Sequence, residues 1–193
     1  WHKFLHDEGI FKSEEPFQKL YHQGLILGPD GQKRSKSLGN TVSPDDVIKE
    51  YGADALRFYE RFKGPVDQSR PWSPDGPRAA KRFLDKFFRL YDDEEFVSKW
   101  TDEENESLEF VYATTIKKCT NDYEILHFNT GISQIMVCVN EFYKADKLPK
   151  KRLLGLAQLR APITPHLAEE CYSKLGYEGV IDFVKWPSAN EDK

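Results

Sequence analysis

Residues 77–91 read PRAAKRFLDKFFRLY. Pro77 opens the stretch, where its missing N–H costs a helix nothing. At about 100° per residue, Phe83, Leu84, Phe87, Phe88, Leu90 and Tyr91 share one side. Arg78, Arg82, Lys86 and Arg89 fall on a narrow stripe on the other. The spacing predicts an amphipathic helix that buries one face and holds out a basic edge.

The chain beyond it keeps the same period. Residues 101–126 start on Thr101 with Glu104 three positions on, a capping-box pattern. Residues 128–145 place Ile132, Ile135, Met136, Val139 and Phe142 at helical spacing. Residues 150–176 give two helices split around Pro162 and Pro165 and closed by Gly176. Short connections between these helices predict antiparallel packing. The expected core holds Phe83, Phe87, Ile132, Ile135, Met136, Val139, Leu156 and Leu159.

Ahead of the bundle the texture changes. KGPVDQSRPWSPDGP (63–77) is rich in proline and glycine and marks a domain boundary. The expected division is 1–64, 65–187 and a tail at 188–193. EEPFQKLYHQG (14–24) reads as a short helix, LILG (25–28) as a buried strand and PDGQ (29–32) as a turn. SPDDVIKEYG (43–52) is a well-marked helix, with Ser43 as N-cap, Pro44 at the first helical position and Gly52 at the end. ADALRFYERF (53–62) continues as a second helix with Leu56, Tyr59 and Phe62 apolar. The fold class is therefore mainly α: a small mixed α/β element, then an antiparallel helix bundle.

Apolar residues make up 39% of the 193 and charged residues 31%, and no apolar run approaches membrane-spanning length. Cys119, Cys138 and Cys171 are odd in number and widely spaced. That argues for reduced thiols and against a disulfide frame or a zinc site. The five histidines form no ligand cluster with them. Trp1 opens the sequence and Met136 is its one methionine, so the chain is expected to be a segment of a longer protein. Net charge is −4, too acidic overall for a general polyanion magnet. Yet six basic residues against two acidic ones lie between Arg70 and Arg89, and nine acidic against one lysine from Asp92 to Glu109. Such segregation fits one face for a polyanion and another for water.

GQKRSKSLGN (31–40) packs two lysines, an arginine and two serines between Lys33 and Ser37, with glycine on both sides. Lysine suits phosphate oxygens as a point charge, and serine hydroxyls and loop N–H groups donate to the same target. Flanking glycines let such a loop close over a ligand. The physical reading is a mobile phosphate clamp; a solvated basic hairpin is the alternative. It is not a Walker loop, because G-x-x-x-x-G-K-[ST] is absent. Asn40 is either an anchor between loop and helix or an ordinary turn residue.

K-x-S-K-S followed by GN, then SPDD and YGADALRFY, resembles the lysine–serine signature loop of class I aminoacyl-tRNA synthetases. WHKFLHDEGIF, EEPFQKLYHQGLILG, RPWSPDGPRAAKRFLDKFFRLY and LRAPITPHLAEECYSKLG are similar to the leucyl branch, over roughly residues 1–187. The resemblance implies a catalytic-region end carrying a stem-contact element, then a helical anticodon-binding-type domain. One departure stands in the loop: the family usually carries Met where this chain has Arg34. The family's His-x-Gly-His ATP motif, its main nucleotide-binding sheet and its editing domain are absent from these residues.

In the intact family enzyme, leucine attacks the α-phosphorus of ATP and the leucyl group then passes to tRNA. By position, the resemblance makes Lys36 the main catalytic lysine, stabilising the leaving pyrophosphate, and Lys33 its support. Lys33, Ser35, Lys36 and Ser37 become the ATP-binding set. Arg78, Arg82, Lys86 and Arg89 become candidates for tRNA contact, with a solvated helix face as the alternative. ATP with Mg2+ is the expected cosubstrate, tRNA-Leu and leucine the partners, the cytoplasm the compartment, and a monomer the state. No membrane, DNA or protein-bound metal is expected, and the chain alone should not charge tRNA. A valyl, isoleucyl or methionyl enzyme, a non-catalytic RNA-binding module and a protein-binding helical scaffold stay open. Trp72 could stack on a base or plug a core edge. His166 reads as a capping or core residue.

Overall fold

A computed structural model describes residues 1–189 of the chain; within the 188–193 tail, positions 190–193 lie outside the described residues. The small element comes first, with α1 (His2–Asp7), β1 (Ile26–Leu27), α2 (Pro44–Tyr51) and α3 (Ala53–Phe62). Strand β2 (Arg70–Pro71) leads into α4 (Gly76–Asp92) and the short α5 (Glu94–Val97). Then come β3 (Trp100–Thr101), α6 (Glu106–Glu124), α7 (Phe128–Lys144), β4 (Leu148–Pro149), α8 (Lys150–Arg160) and α9 (Pro165–Lys174).

The helical bundle stands as its periodicity predicts. Thr115 meets Gln134, Asp122 meets Thr130 and Tyr123 meets Phe128, so α6 and α7 run antiparallel. Likewise Tyr91 donates to the Leu153 carbonyl while Arg160 lies over Phe87, which sets α4 and α8 antiparallel. Phe87, Ile132, Ile135, Val139, Leu156 and Leu159 are fully buried, as expected. Phe83 and Met136 are only half-buried, packed at the edge of the core.

Two apolar clusters divide the interior. The larger fills the bundle from Phe87 to Ile181. The smaller joins Val47 of α2 and Ala55, Phe58 and Tyr59 of α3 to Leu84, Ile132 and Ile163. On α3 the buried face is therefore Ala55–Phe58–Tyr59, whereas Phe62 is 38% exposed. Polar clasps seat α3 more firmly. Arg57 Nε and Nη2 donate to the Ile163 and Pro162 carbonyls at 3.0 and 3.1 Å. Asp54 accepts from the Leu167 amide at 2.7 Å and lies 3.1 Å from His166 Nδ1. That carboxylate caps α9 from another helix, so His166 is an exposed cap-side residue and not a core one.

Several local readings are corrected. Residues 14–24 form no helix. Phe17 and Leu20 are 82% and 77% exposed, and a helix this short is marginal without a packed face. Strand β1 forms where LILG predicts it but is half-buried, with Leu25 54% exposed, and its parallel partner is Arg70–Pro71. Helix α6 starts at Glu106, capped by Asn105, whose Oδ1 accepts from the Ser107 amide at 3.1 Å. Thr101 is instead in β3, paired with β4, and Glu104 is held by Arg152 Nε at 2.8 Å. Thr101 Oγ1 accepts from the Glu103 amide at 3.1 Å, a local turn with no helix starting on it, and the Glu104 end of the apparent box is taken by a long-range partner. Ser43 stands at the N-cap of α2 as expected but makes no side-chain cap bond.

Candidate functional site

The basic loop leaves β1 through a tight turn. The Gly28 amide donates to the Gln32 carbonyl at 2.8 Å, the Gly31 amide to the Gly28 carbonyl at 2.9 Å, and Asp30 Oδ1 accepts from the Gln32 amide at 3.0 Å. Gly31 holds φ +75°, a left-handed angle that favours glycine. Ser35 is extended, and a single 3-10 turn, Lys36–Leu38, follows before Gly39 at φ +63° reverses the chain.

Asn40 is the anchor. Its Oδ1 accepts from the Ser35 amide at 2.9 Å and its Nδ2 donates to the Lys33 carbonyl at 3.4 Å. One side chain thus holds the loop backbone on both sides of Arg34. Ser35 Oγ accepts from the Ser37 amide at 3.3 Å and lies 2.7 Å from Ser37 Oγ. The two serines brace the turn while Lys33 and Lys36 stand exposed at its rim. Neither lysine makes an ion pair among the described residues.

Arg34 goes the other way. Its guanidinium carbon lies 5.1 Å from the centre of the Trp72 ring, and its Nε and Nη2 are sealed from solvent without hydrogen-bond partners. The extra charge of the loop is turned inward and does not join the exposed lysine pair. Trp72 is itself buried, edge-on to Tyr59 at 5.0 Å, so it plugs a core edge and offers no stacking face.

The stripe on α4 is less uniform than its spacing suggests. Arg78 lies 3.6 Å from Asp75 and Arg89 3.0 Å from Asp93. Lys86 is half-buried, donating to Asn140 Oδ1 at 2.7 Å across to α7 and sitting over Tyr143. Arg82 alone of the four is exposed with no ion pair or hydrogen bond among the described residues. A further cationic group, Arg57, Arg61, Lys63 and Arg70, gathers at the end of α3 and escaped the sequence reading. Arg57 and Arg61 are four apart on one helix, which was the legible sign. Arg70 joins through the pairing of β2 with β1. The three cysteines are free and buried. No group of three or more His, Cys, Asp or Glu that could hold a metal converges among the described residues. No helix there is long and apolar enough to cross a membrane.

Comparison with known proteins adds three findings. A family model of class I tRNA synthetases (I, L, M and V) matches residues 8–68. A model of the anticodon-binding domain of tRNA ligases matches residues 106–193. Among solved structures, the chain is similar to LeuRS of Agrobacterium radiobacter K84 (agnB2), from a crystal structure of its ternary LeuRS–tRNA–LeuAMS complex. Identity is 35% and the TM-score 0.83, over 98% of this chain and 27% of that one.

Proposed function

We propose, from the premise that the chain belongs to the class I tRNA synthetases and joins part of their catalytic domain to an anticodon-binding domain, that it serves leucine activation and transfer to tRNA-Leu within a longer protein. The observation that carries this reading is the loop itself. Two unpaired lysines stand at the rim of a turn pre-shaped by Ser35, Ser37 and Asn40. Preorganised cations lower a barrier most where charge develops, because no reorganisation is needed at the moment of reaction.

Attack of the leucine carboxylate on the α-phosphorus of ATP forms leucyl-adenylate and expels pyrophosphate, on which negative charge grows. Lys36 would meet that charge, with Lys33 beside it, and Ser35 and Ser37 would complete the ATP contacts. Magnesium would arrive with the nucleotide. The structural neighbour, whose name couples LeuRS with tRNA and LeuAMS, supports leucine and tRNA-Leu as substrates. Residues 1–64 would close the catalytic region, and 65–187 would dock tRNA, with Arg82 leading the stripe of Arg78, Arg82, Lys86 and Arg89. We place the working protein in the cytoplasm as a monomer; free buried thiols accord with a reducing compartment.

The test is ATP–pyrophosphate exchange by the longer protein with leucine, valine, isoleucine or methionine as substrate. Lys36→Ala should slow leucine-dependent exchange about 10²–10³-fold while shifting the KM for leucine little. Equal exchange rates in variant and parent, or exchange driven best by another amino acid, would sink the reading.

A further inference from the structure

The positive charges of this protein are unevenly matched. Around α4, Arg78, Lys81 and Arg89 each have a carboxylate partner. At the end of α3 the balance is reversed. A cavity of about 520 Å³ opens there between β1, the 63–70 loop and the start of α7, lined by Arg61, Lys63 and Arg70 with Glu60 as its one carboxylate. Arg57 stands behind, its guanidinium held by two backbone carbonyls. None of these four cations makes an ion pair among the described residues.

What they do contact is neutral. Arg61 donates to the Arg57 carbonyl at 3.4 Å and lies 5.8 Å over the Phe128 ring. Lys63 donates to Tyr59 Oη at 2.7 Å and to the Pro71 carbonyl. Arg70 donates to Gln68 Oε1 at 2.8 Å, and its Nε is sealed from solvent without a partner. Arg57 and Arg61, one turn apart, repel each other. Burial, with Arg57 beside it, pulls the Arg61 guanidinium below its ordinary range, and burial pushes the Glu60 carboxyl up. The site is short of negative charge by more than its own carboxylate supplies.

The chemistry of the missing partner follows from the walls. Two guanidinium forks and an ammonium match phosphate oxygens. Arg61 lies over one face of Phe128, and Tyr123 packs tilted against the same ring. Charge without base readout is how a nucleic-acid backbone is held, and a free pyrophosphate shares that oxyanion chemistry. The cavity also lies at the start of β1, whose far end leads into the 33–37 loop. We infer that this cavity seats a backbone phosphate of bound tRNA, with Arg61, Lys63 and Arg70 supplying the charge. The inference rests on the reading that the chain handles tRNA.

The test uses the 193-residue chain and a tRNA-Leu transcript in filter binding at several salt concentrations. Arg61→Gln with Arg70→Gln should lower affinity at least about tenfold at low salt and make log K against log salt shallower by roughly 1–2. Lys117→Gln with Lys174→Gln removes equal charge elsewhere and should leave the slope alone. Circular dichroism monitors folding. Arg61→Lys keeps the charge and should keep the slope, which separates charge from packing should the double variant unfold. An unchanged slope in the double variant, or a slope lost equally in Arg61→Lys, overturns the inference. So does wild-type affinity for inorganic pyrophosphate that equals the affinity for tRNA and vanishes in the double variant, because the cavity is then a free-anion site. Failure of the wild-type chain to bind tRNA overturns it too, while the exchange assay on Lys36 stands or falls separately.

Discussion

Arg160 is fully buried, and replacing it separates what its charge contributes from what its volume contributes. Its guanidinium carbon lies 4.9, 5.3 and 4.8 Å from the ring centres of Phe58, Phe83 and Phe87. Nε and Nη2 donate to Thr164 Oγ1 at 3.2 and 3.1 Å, and Nη1 has no hydrogen-bond partner. No carboxylate is within ion-pairing distance among the described residues. Burial pulls its pKa down to about 10. Two terms oppose each other. Three cation–π contacts at about 1–2 kcal/mol each in a desolvated setting contribute roughly 3–6 kcal/mol. Taking the ion out of water costs several kcal/mol. The charge itself thus nets close to nothing, and the side chain acts mainly by filling the space between three rings. Arg160→Met keeps most of that volume and should change the unfolding free energy by less than about 1.5 kcal/mol. Arg160→Ala opens a cavity and should cost about 3–5 kcal/mol. Urea unfolding followed by circular dichroism measures both, with equal m-values as the check on the unfolded state. If Met costs as much as Ala, it is the charge that holds α8 against α3 and α4, and the reasoning fails.

Asn40→Ala removes both bonds that clasp the loop, so trypsin should cut after Lys33 and Lys36 several-fold faster. Global stability should drop by less than about 1 kcal/mol, because the loop is exposed; unchanged cleavage would show that Asn40 is an ordinary turn residue. Burial pushes the Cys119 and Cys138 thiols up to about 12, and Cys171 also well up. Native chain at pH 8 should therefore leave all three unreacted with a disulfide reagent over minutes, whereas denatured chain reacts at all three. The stability held by these neutral thiols is fully present below about pH 9 and is lost as pH rises toward 12; a melting temperature constant across that window would contradict it.

What the amino-acid sequence determined by itself was periodic or short-range. A helical repeat of apolar residues selects one face whatever that face meets, so α4 and α7 were legible from their period, while α8 and α9 were legible from the prolines that split them and the glycine that closes them. Pro44 and Gly52 bound α2 through their own backbone preferences. The loop could be read as a cation-bearing turn because its serines, glycines and Asn40 bond within seven residues of one another.

Tertiary structure decided wherever a residue's partner is distant. Thr101 and Glu104 look like a cap, yet the Thr101 backbone pairs with β4 and the Glu104 carboxylate goes to Arg152, each more than forty positions away. The 14–24 segment has helix-forming residues but no packed face, and a short helix does not stand without one. Arg34 carries the same charge as its neighbours but points to Trp72, brought beneath the loop by the β1–β2 pairing. The same pairing carries Arg70 to Arg61 and creates a charge excess that neither segment holds alone. Local preference acts through the backbone of a few residues; charge balance and burial are sums over everything nearby, and only the fold sets what is near.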